Sequence, residues 1–356
     1  MFALSSRRNY TNSLTGKNRQ SGMVLLMVLL IFSIVAILAT SMIERQSIDL
    51  ERVSGQLALQ QAREFSYAAE QAVRQGLYMD WEADKEKDHL GEEWAVDRSF
   101  PLEPGTIFLH LSDAQGRFNL NSLAPDAPNK AIQTTRFRQL LNLLGLDVEL
   151  ATEWANWLNP ESQDDDRYLS AEVPYRAAYQ DCKHTSELLL IENMDAASYS
   201  KLEPYVACLP VTAQLNVNTA PAIVLASLDS ELTLADGQAI VNARGDDGFS
   251  SVDDFWALSQ VEPFTKARTN GQNDDNDSDG NNNDQEVDSR WSKTDFSVRT
   301  EYFELFARID LGGRMATLEA VIHRAVDTGI MTTLYRDFSR RESRPVDPVS
   351  TANQIE

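Results

Sequence analysis

The sequence predicts an α+β fold: one long amino-terminal helix, a small antiparallel sheet, and a large all-α block between the strands of that sheet. Three observations lead there. An unbroken apolar run, Met23 to Ile43, passes directly into an amphipathic helical pattern. Strand-type alternation occurs in two distant places, around residues 107–120 and 303–322. Between them the period is helical, in short segments with brief connections.

The chain has 356 residues, and 42% of them are hydrophobic, enough for a large domain or two beyond any anchor. Its net charge is −22, and the four basic residues before the apolar run (Arg7, Arg8, Lys17, Arg19) face no acids, so the remainder carries −26. A body that acidic repels nucleic-acid phosphates and anionic headgroups, which excludes nucleic acid as a partner and favours divalent cations and basic protein surfaces.

Met23 to Ile43 holds 21 uncharged residues, of which only Ser33, Thr40 and Ser41 are polar. At about 1.5 Å per residue such a helix crosses a hydrocarbon core of roughly 30 Å. Basic residues precede it and Glu44 follows, so the positive-inside rule puts the amino terminus in the cytoplasm and the body in the periplasm of a bacterial inner-membrane protein. No turn, Pro or Ala-x-Ala closes the run, so the helix is read as a retained anchor. The pattern continues through Leu50, Val53, Leu57, Phe65, Ala69, Ala72 and Gly76, giving one helix from Met23 to about Met79, about 85 Å long at that rise. Arg19-Gln20-Ser21-Gly22 directly before Met23 resembles the site cut by prepilin peptidase, where a basic leader ends in Gly and the apolar helix begins at once. Most of that superfamily carries Glu at the fifth residue after the cut; here it is Met27. A carboxylate in hydrocarbon needs a partner, and a subunit with none above it offers no amine, so Met27 points to a filament tip.

In the body, Ile107–Leu111 and Gly116–Leu120 read as strands joined at Ser112-Asp113-Ala114-Gln115. Helical patterns follow over Gln133–Leu144 (stopped by Gly145), Asp147–Leu158, Ser186–Ile191, Ala196–Val206, Pro221–Leu228, Leu234–Ala243 and Val252–Leu258. Asn218-Thr219-Ala220-Pro221 reads as a helix start. Strands return at Phe303–Ile309 and Ala316–Ile322 around the turn Leu311-Gly312-Gly313-Arg314, and periodicity is lost after Thr328. Cys182 and Cys208 either form one disulfide or are two buried thiols; neither has a second Cys or His at zinc-ligand spacing.

Five stretches in order give a family resemblance: Ser21-Gly22-Met23 without the following Glu, Gly116-Arg117-Phe118-Asn119-Leu120-Asn121, Ser186-Glu187-Leu188, Leu202 to Pro210 (LEPYVACLP) and Leu215 to Pro221 (LNVNTAP). Together they resemble the K-class minor pseudopilins of the type II secretion system, also called general secretion pathway protein K. The resemblance implies a pilin-like fold with an inserted helical domain, bound calcium, and a place at the pseudopilus tip. Its implied partners are the I, J and H minor pseudopilins, the major pseudopilin, prepilin peptidase and the inner-membrane assembly platform. The resulting division is a cleaved leader at 1–22, a membrane segment at 23–43, periplasmic helix at 44–80, and the first part of the head at 81–125. The inserted helical domain, related in pattern to SAM and helix-hairpin-helix modules, takes 126–264. A calcium loop at 265–294, the last head strands at 295–328 and a loose tail at 329–356 complete it. The alternatives are a minor pilin of a type IV pilus, or a membrane-anchored periplasmic enzyme or binding protein.

Within the polar stretch Asn270–Arg290, Asp275, Asp277 and Asp279 alternate, Gly280 allows a sharp turn, Asn281 offers a carbonyl and Glu286 stands at the twelfth place. That is the full D-x-D-x-D-G-x₅-E pattern of a calcium loop, set between flanks that do not read as paired helices. A second acidic cluster, Glu161, Asp164, Asp165, Asp166 and Glu172, is a solvated loop or a further cation site. His89, His110, His184 and His323 are dispersed, and no hydrolase, zincin, Walker A or dinucleotide motif is present, so the expectation is assembly without catalysis.

Overall fold

The computed structural model describes residues 20–162, 165–265 and 291–339, and the chain divides into two compact units at Gln60/Gln61. The elements in chain order begin with α1 (Gln20–Ala83), β1 (Arg98–Leu102), β2 (Gly105–Asp113) and β3 (Phe118–Asn119). They continue with α2 (Lys130–Leu143), α3 (Leu150–Leu158), α4 (Asp165–Leu169), α5 (Ala196–Leu202), β4 (Val206–Ala207) and β5 (Leu215–Asn216). Then come α6 (Ala222–Ala226), α7 (Leu234–Arg244), α8 (Val252–Trp256), α9 (Glu262–Thr265), β6 (Phe296–Ser297), β7 (Tyr302–Leu311), β8 (Arg314–Arg324) and β9 (Met331–Asp337). The fold is α+β, as expected.

The first unit contains the amino-terminal part of α1, and none of its residues from Gly22 to Gln60 is buried. The three polar residues of the apolar run bond to their own helix: Ser33 Oγ to the Leu29 carbonyl at 2.8 Å, Thr40 Oγ1 to Ala36 at 3.0 Å and Ser41 Oγ to Leu38 at 3.0 Å. A hydroxyl satisfied this way leaves no polar group bare in an apolar solvent.

In the second unit the sheet order is β1-β2-β7-β8-β9, antiparallel throughout. Gly312 and Gly313, both at positive φ (57° and 76°), make the two-residue turn between β7 and β8 that the sequence indicated. The carboxyl-terminal turns of α1 lie on this sheet through Ala62, Ser66, Ala69, Glu70, Leu77 and Trp81, all buried. The expected stripe is therefore rotated: Ala72 and Gly76 are exposed, and the docking face includes a carboxylate. Glu70, with a fully buried side chain, accepts from Arg336 Nε at 2.6 Å and Nη2 at 2.8 Å, and from Thr333 Oγ1 at 2.5 Å. Burial works against its charge, yet the hydrogen bonds from Arg336 and Thr333 outweigh burial and hold the carboxyl below its usual range.

Three sequence expectations are corrected here. Gly116–Leu120 does not return beside β2. The Asp113 carboxylate accepts from Gln115 N at 2.7 Å, bending the chain into a 3-10 turn, and β3 pairs in parallel with β4 instead. Gly116 passes so close to Thr219 that an added Cβ would lie 2.7 Å from its hydroxyl. The true neighbour of β2 is β1, an exposed edge strand whose Pro101 hid it in the sequence; a proline is tolerated on an edge. The tail assigned to 329–356 contains β9, a further edge strand held to α1 by polar contacts at Glu70 rather than by an apolar face.

Between β2 and β7 the helices build two apolar cores. One gathers Leu120, Phe137, Leu141, Trp154, Trp157 and Leu158; the other gathers Val224, Leu225, Ile240, Phe255, Trp291 and Phe296. Arg136 joins them: its guanidinium pairs with Asp295 at 2.9 Å, donates to the Leu228 carbonyl at 3.3 Å, and lies over the rings of Trp291 and Phe296. Cys182 and Cys208 are joined by a disulfide at the edge of the first core. Gly145 (φ 66°) ends α2 as its position in the sequence indicated.

Two stability measurements test this account. Glu70→Ala leaves Arg336 without its partner and should destabilise the body by about 2–3 kcal/mol in denaturant melts, less than a fully buried pair because Arg336 is 38% exposed. Replacing Cys182 and Cys208 by Ser opens a loop of sequence separation 26, and the expected cost is about 3–4 kcal/mol on the chain-entropy relation; unchanged melting with and without reductant would contradict it.

Candidate functional site

The helical block leaves the sheet after Asp113 and returns to it before Tyr302, so residues 113–116, 214–219 and 298–302 form a neck. Its centre is the buried carboxylate of Asp113. Oδ2 accepts from Thr219 Oγ1 at 2.6 Å, Thr300 Oγ1 at 2.6 Å and Asn216 Nδ2 at 3.0 Å, and Oδ1 takes the Gln115 amide. Each of the first three donors comes from a segment that has crossed the neck. Gln115 repeats the pattern, with its Nε2 on the Gln214 carbonyl at 2.9 Å and its Oε1 accepting the amides of Glu301 and Tyr302. Burial raises the Asp113 carboxyl to about 6, and the hydroxyl donors pull against that rise.

The Leu215–Pro221 segment supplies much of this. Leu215 and Asn216 form β5 and pair in parallel with β6. Val217 and Ala220 enter the second core. Asn218 makes a two-way bond with Phe249, accepting its amide at 2.6 Å and donating to its carbonyl at 3.0 Å. Arg244, buried, donates to the carbonyls of Val217 (3.1 Å) and Ala220 (2.7 Å); burial lowers its pKa to about 10. The expected cap of the following helix is thus corrected: Asn218 and Thr219 are engaged elsewhere, and α6 begins after Pro221 with no side-chain cap. The Gly116–Asn121 and Leu202–Pro210 segments meet likewise, since β3 pairs with β4. Asn121 accepts the Cys182 amide at 2.8 Å and donates to the carbonyls of Cys182 (3.1 Å) and Leu209 (2.9 Å), holding both chains beside the disulfide.

Next to the neck, Asp80 of α1 and Asp88 and Glu92 of the following linker bring carboxylate oxygens within 4.8 Å of one another, the one such acidic group among the described residues. Arg324 of β8 donates to Asp88 and to the Thr300 carbonyl (2.9 Å), and its other nitrogen lies 3.5 Å from Asp80. Thr300 N donates to the second Asp88 oxygen at 2.7 Å. Burial first, and the neighbouring carboxylates with it, raise Asp80 to about 6 and Glu92 to about 7. Sequence reading missed this cluster because its members are dispersed over 80–92 and 324.

Gly22 and Met23 lie in the first turns of α1. Asp275, Asp277, Asp279, Asn281 and Glu286 fall outside the described residues, as does Asp164. Glu161 and Glu172 are exposed, and among the described residues they join no converging acidic group. The histidines are taken up locally: His89 by Glu92 (3.6 Å), His110 by Asp97 (2.7 Å), His184 by Ser186 and His323 by Glu301 (3.6 Å).

Comparison with known proteins follows the same division. Family models of type II secretion system protein K match residues 116–211 and 215–272, divided where the chain passes from β4 to β5. Type II secretion system protein K of Pseudomonas aeruginosa is 33% identical over 339 residues, covering 90% of this chain and 93% of that protein. The chain belongs to the type II secretion system protein K family. A second member, from Klebsiella pneumoniae, is 32% identical over 263 residues, 68% of this chain and 80% of its own. A chain in the crystal structure of the GspK–GspI–GspJ complex of enterotoxigenic Escherichia coli superposes with a TM-score of 0.66 at 26% identity, covering 82% of this chain and all of that one. Of the five stretches that carry the resemblance, the four in the body lie at the neck and the first core.

Asn216→Ala removes one donor from Asp113 and leaves a fully buried carboxylate less well satisfied. We expect a loss of about 2–3 kcal/mol in unfolding free energy, whereas Asn242→Ala, on the exposed side of α7, should cost less.

Proposed function

We propose that the chain is a tip-associated minor pseudopilin, held in the inner membrane by the Met23–Ile43 helix and assembled with I- and J-class minor pseudopilins. The observation that carries this is the first unit of α1: an apolar surface without a buried residue, whose three hydroxyls are satisfied by its own backbone. Such a surface is stable only in lipid or against other apolar helices. Cleavage after Gly22 by prepilin peptidase frees the end of that helix, with Met23 as the site of N-methylation, and Met27 suits a subunit with nothing stacked above it. The working mechanism is assembly rather than chemistry. Co-expression with prepilin peptidase should yield a mature chain beginning at Met23 that co-purifies from membranes with the I and J proteins. An uncut product that purifies alone would contradict the proposal.

We also propose that Asp275, Asp277, Asp279, Asn281 and Glu286 hold calcium, on the support of the full loop pattern in the sequence. A bound ion would neutralise those carboxylates and staple the segment between α9 and β6. Calcium should raise the melting temperature of the unmodified protein above that in chelator, and Asp275→Ala with Asp277→Ala should remove the difference. Equal melting temperatures in the unmodified protein would exclude the site.

A further inference from the structure

Three carboxylates converge where the end of α1 meets the linker and the sheet, and two of them, Asp80 and Asp88, share the Arg324 guanidinium. We propose that Asp80, Asp88 and Glu92 under Arg324 act as a proton-operated latch, in which proton uptake closes the 84–96 linker onto α1 and β8 and proton loss loosens it. Coulomb repulsion between charges less than 5 Å apart in a part-buried site is what protons relieve.

Among the described residues, no lysine or arginine other than Arg324 is recorded against the three carboxylates. Just past the end of α1, Asp84 adds a further negative charge, and Lys85 turns away over the ring of Trp81 at 4.4 Å. From the linker, Lys87 donates to the Asp247 carbonyl at 2.6 Å, while His89 lies 3.6 Å from Glu92. From β2, Asp113 presents a fourth buried carboxylate. On the β8 side, Glu301 and His323 pair with each other, and Arg324 lies over Phe303. A divalent ion bound among the three would lie against the Arg324 guanidinium, so the arrangement suits protons better than a metal.

The linker held by this cluster carries structural contacts of its own. Asp88 N donates to the Val298 carbonyl at 2.8 Å, the Asp88 carbonyl accepts from Asn216, and Trp94 packs edge-on against Phe303. Loosening it therefore reaches the neck. Asp80 and Glu92 bind protons more tightly in the folded chain than when unfolded. Their contribution to stability is complete below the ordinary carboxylate range and is lost as pH rises through about 6 to 7.

The test uses the full chain in detergent micelles with chelator present. Melting temperatures are measured from pH 5.5 to 8.5 for the natural protein and for Asp80→Asn with Glu92→Gln, whose neutral side chains mimic the protonated state. The natural protein should lose about 3 °C or more relative to the variant across that range, and the variant should be the more stable at pH 8.5. Amide exchange over residues 84–96, corrected for intrinsic rates, should be several-fold faster at pH 8.5 than at 6 in the natural protein. Parallel melting curves for the two proteins would overturn the latch. Should the variant not fold, pH-independent exchange of 84–96 in the natural protein would overturn it equally.

Discussion

Everything in the head is arranged around a carboxylate that cannot be left unsatisfied. Asp113 is buried at the place where the chain abandons the sheet to build the helical block and later returns, and an uncompensated charge there would cost several kcal/mol. Its oxygens are instead met by donors from Gln115, Asn216, Thr219 and Thr300. Those donors arrive from both sides of the excursion, so the carboxylate can be satisfied only when sheet and block are both folded and correctly joined. A buried polar network of this kind contributes to specificity more than to net stability, since an apolar neck of the same volume would be less exacting about register.

The same principle appears with opposite sign along α1. Glu70 and Asp80 lie ten residues apart on one helix, and burial works against the charge of each. Glu70 meets Arg336 and Thr333 without a competing acid and is held in its charged form. Asp80 meets Asp88, with Arg324 already committed to Asp88, and is pushed toward its neutral form. Since Glu70 loses its stabilising charge only in strong acid and Asp80 gains a proton in weak acid, the attachment of helix to sheet is firmest between those limits.

How much of this was legible in the sequence follows from the kind of force involved. The membrane run, the β7–β8 hairpin, the cap at Gly145 and the aromatic core positions of α3 were readable because apolar periodicity and glycine turns leave local signatures. The edge strands β1 and β9 were not: one carries Pro101, and the other is held by Glu70 through polar contacts from a helix more than 250 residues away. The neck was half legible. Its segments stood out as stretches resembling a family, but the role of each residue did not. Asn218 and Thr219 read locally as a helix cap, and the long-range demands of Phe249 and Asp113 override that choice. The acidic cluster was invisible, because Asp80, Glu92 and Arg324 become neighbours only once the sheet has formed.

An interaction protein of this type faces a particular problem of order. Its amino-terminal helix is apolar on every side and specifies little by itself, since lipid and other helices satisfy it alike. Specificity must therefore reside in the head, and a head that presents a surface to partners has to be rigid before it meets them, or ordering costs come out of the affinity. The neck removes a freedom that the helical block would otherwise have relative to the sheet, and the disulfide and the Arg136 contact stiffen the block itself. Among the described residues, the junction where three like charges converge is the linker after α1. If any part of the head is adjustable, physical chemistry places it there, where a proton rather than a side chain completes the set of contacts.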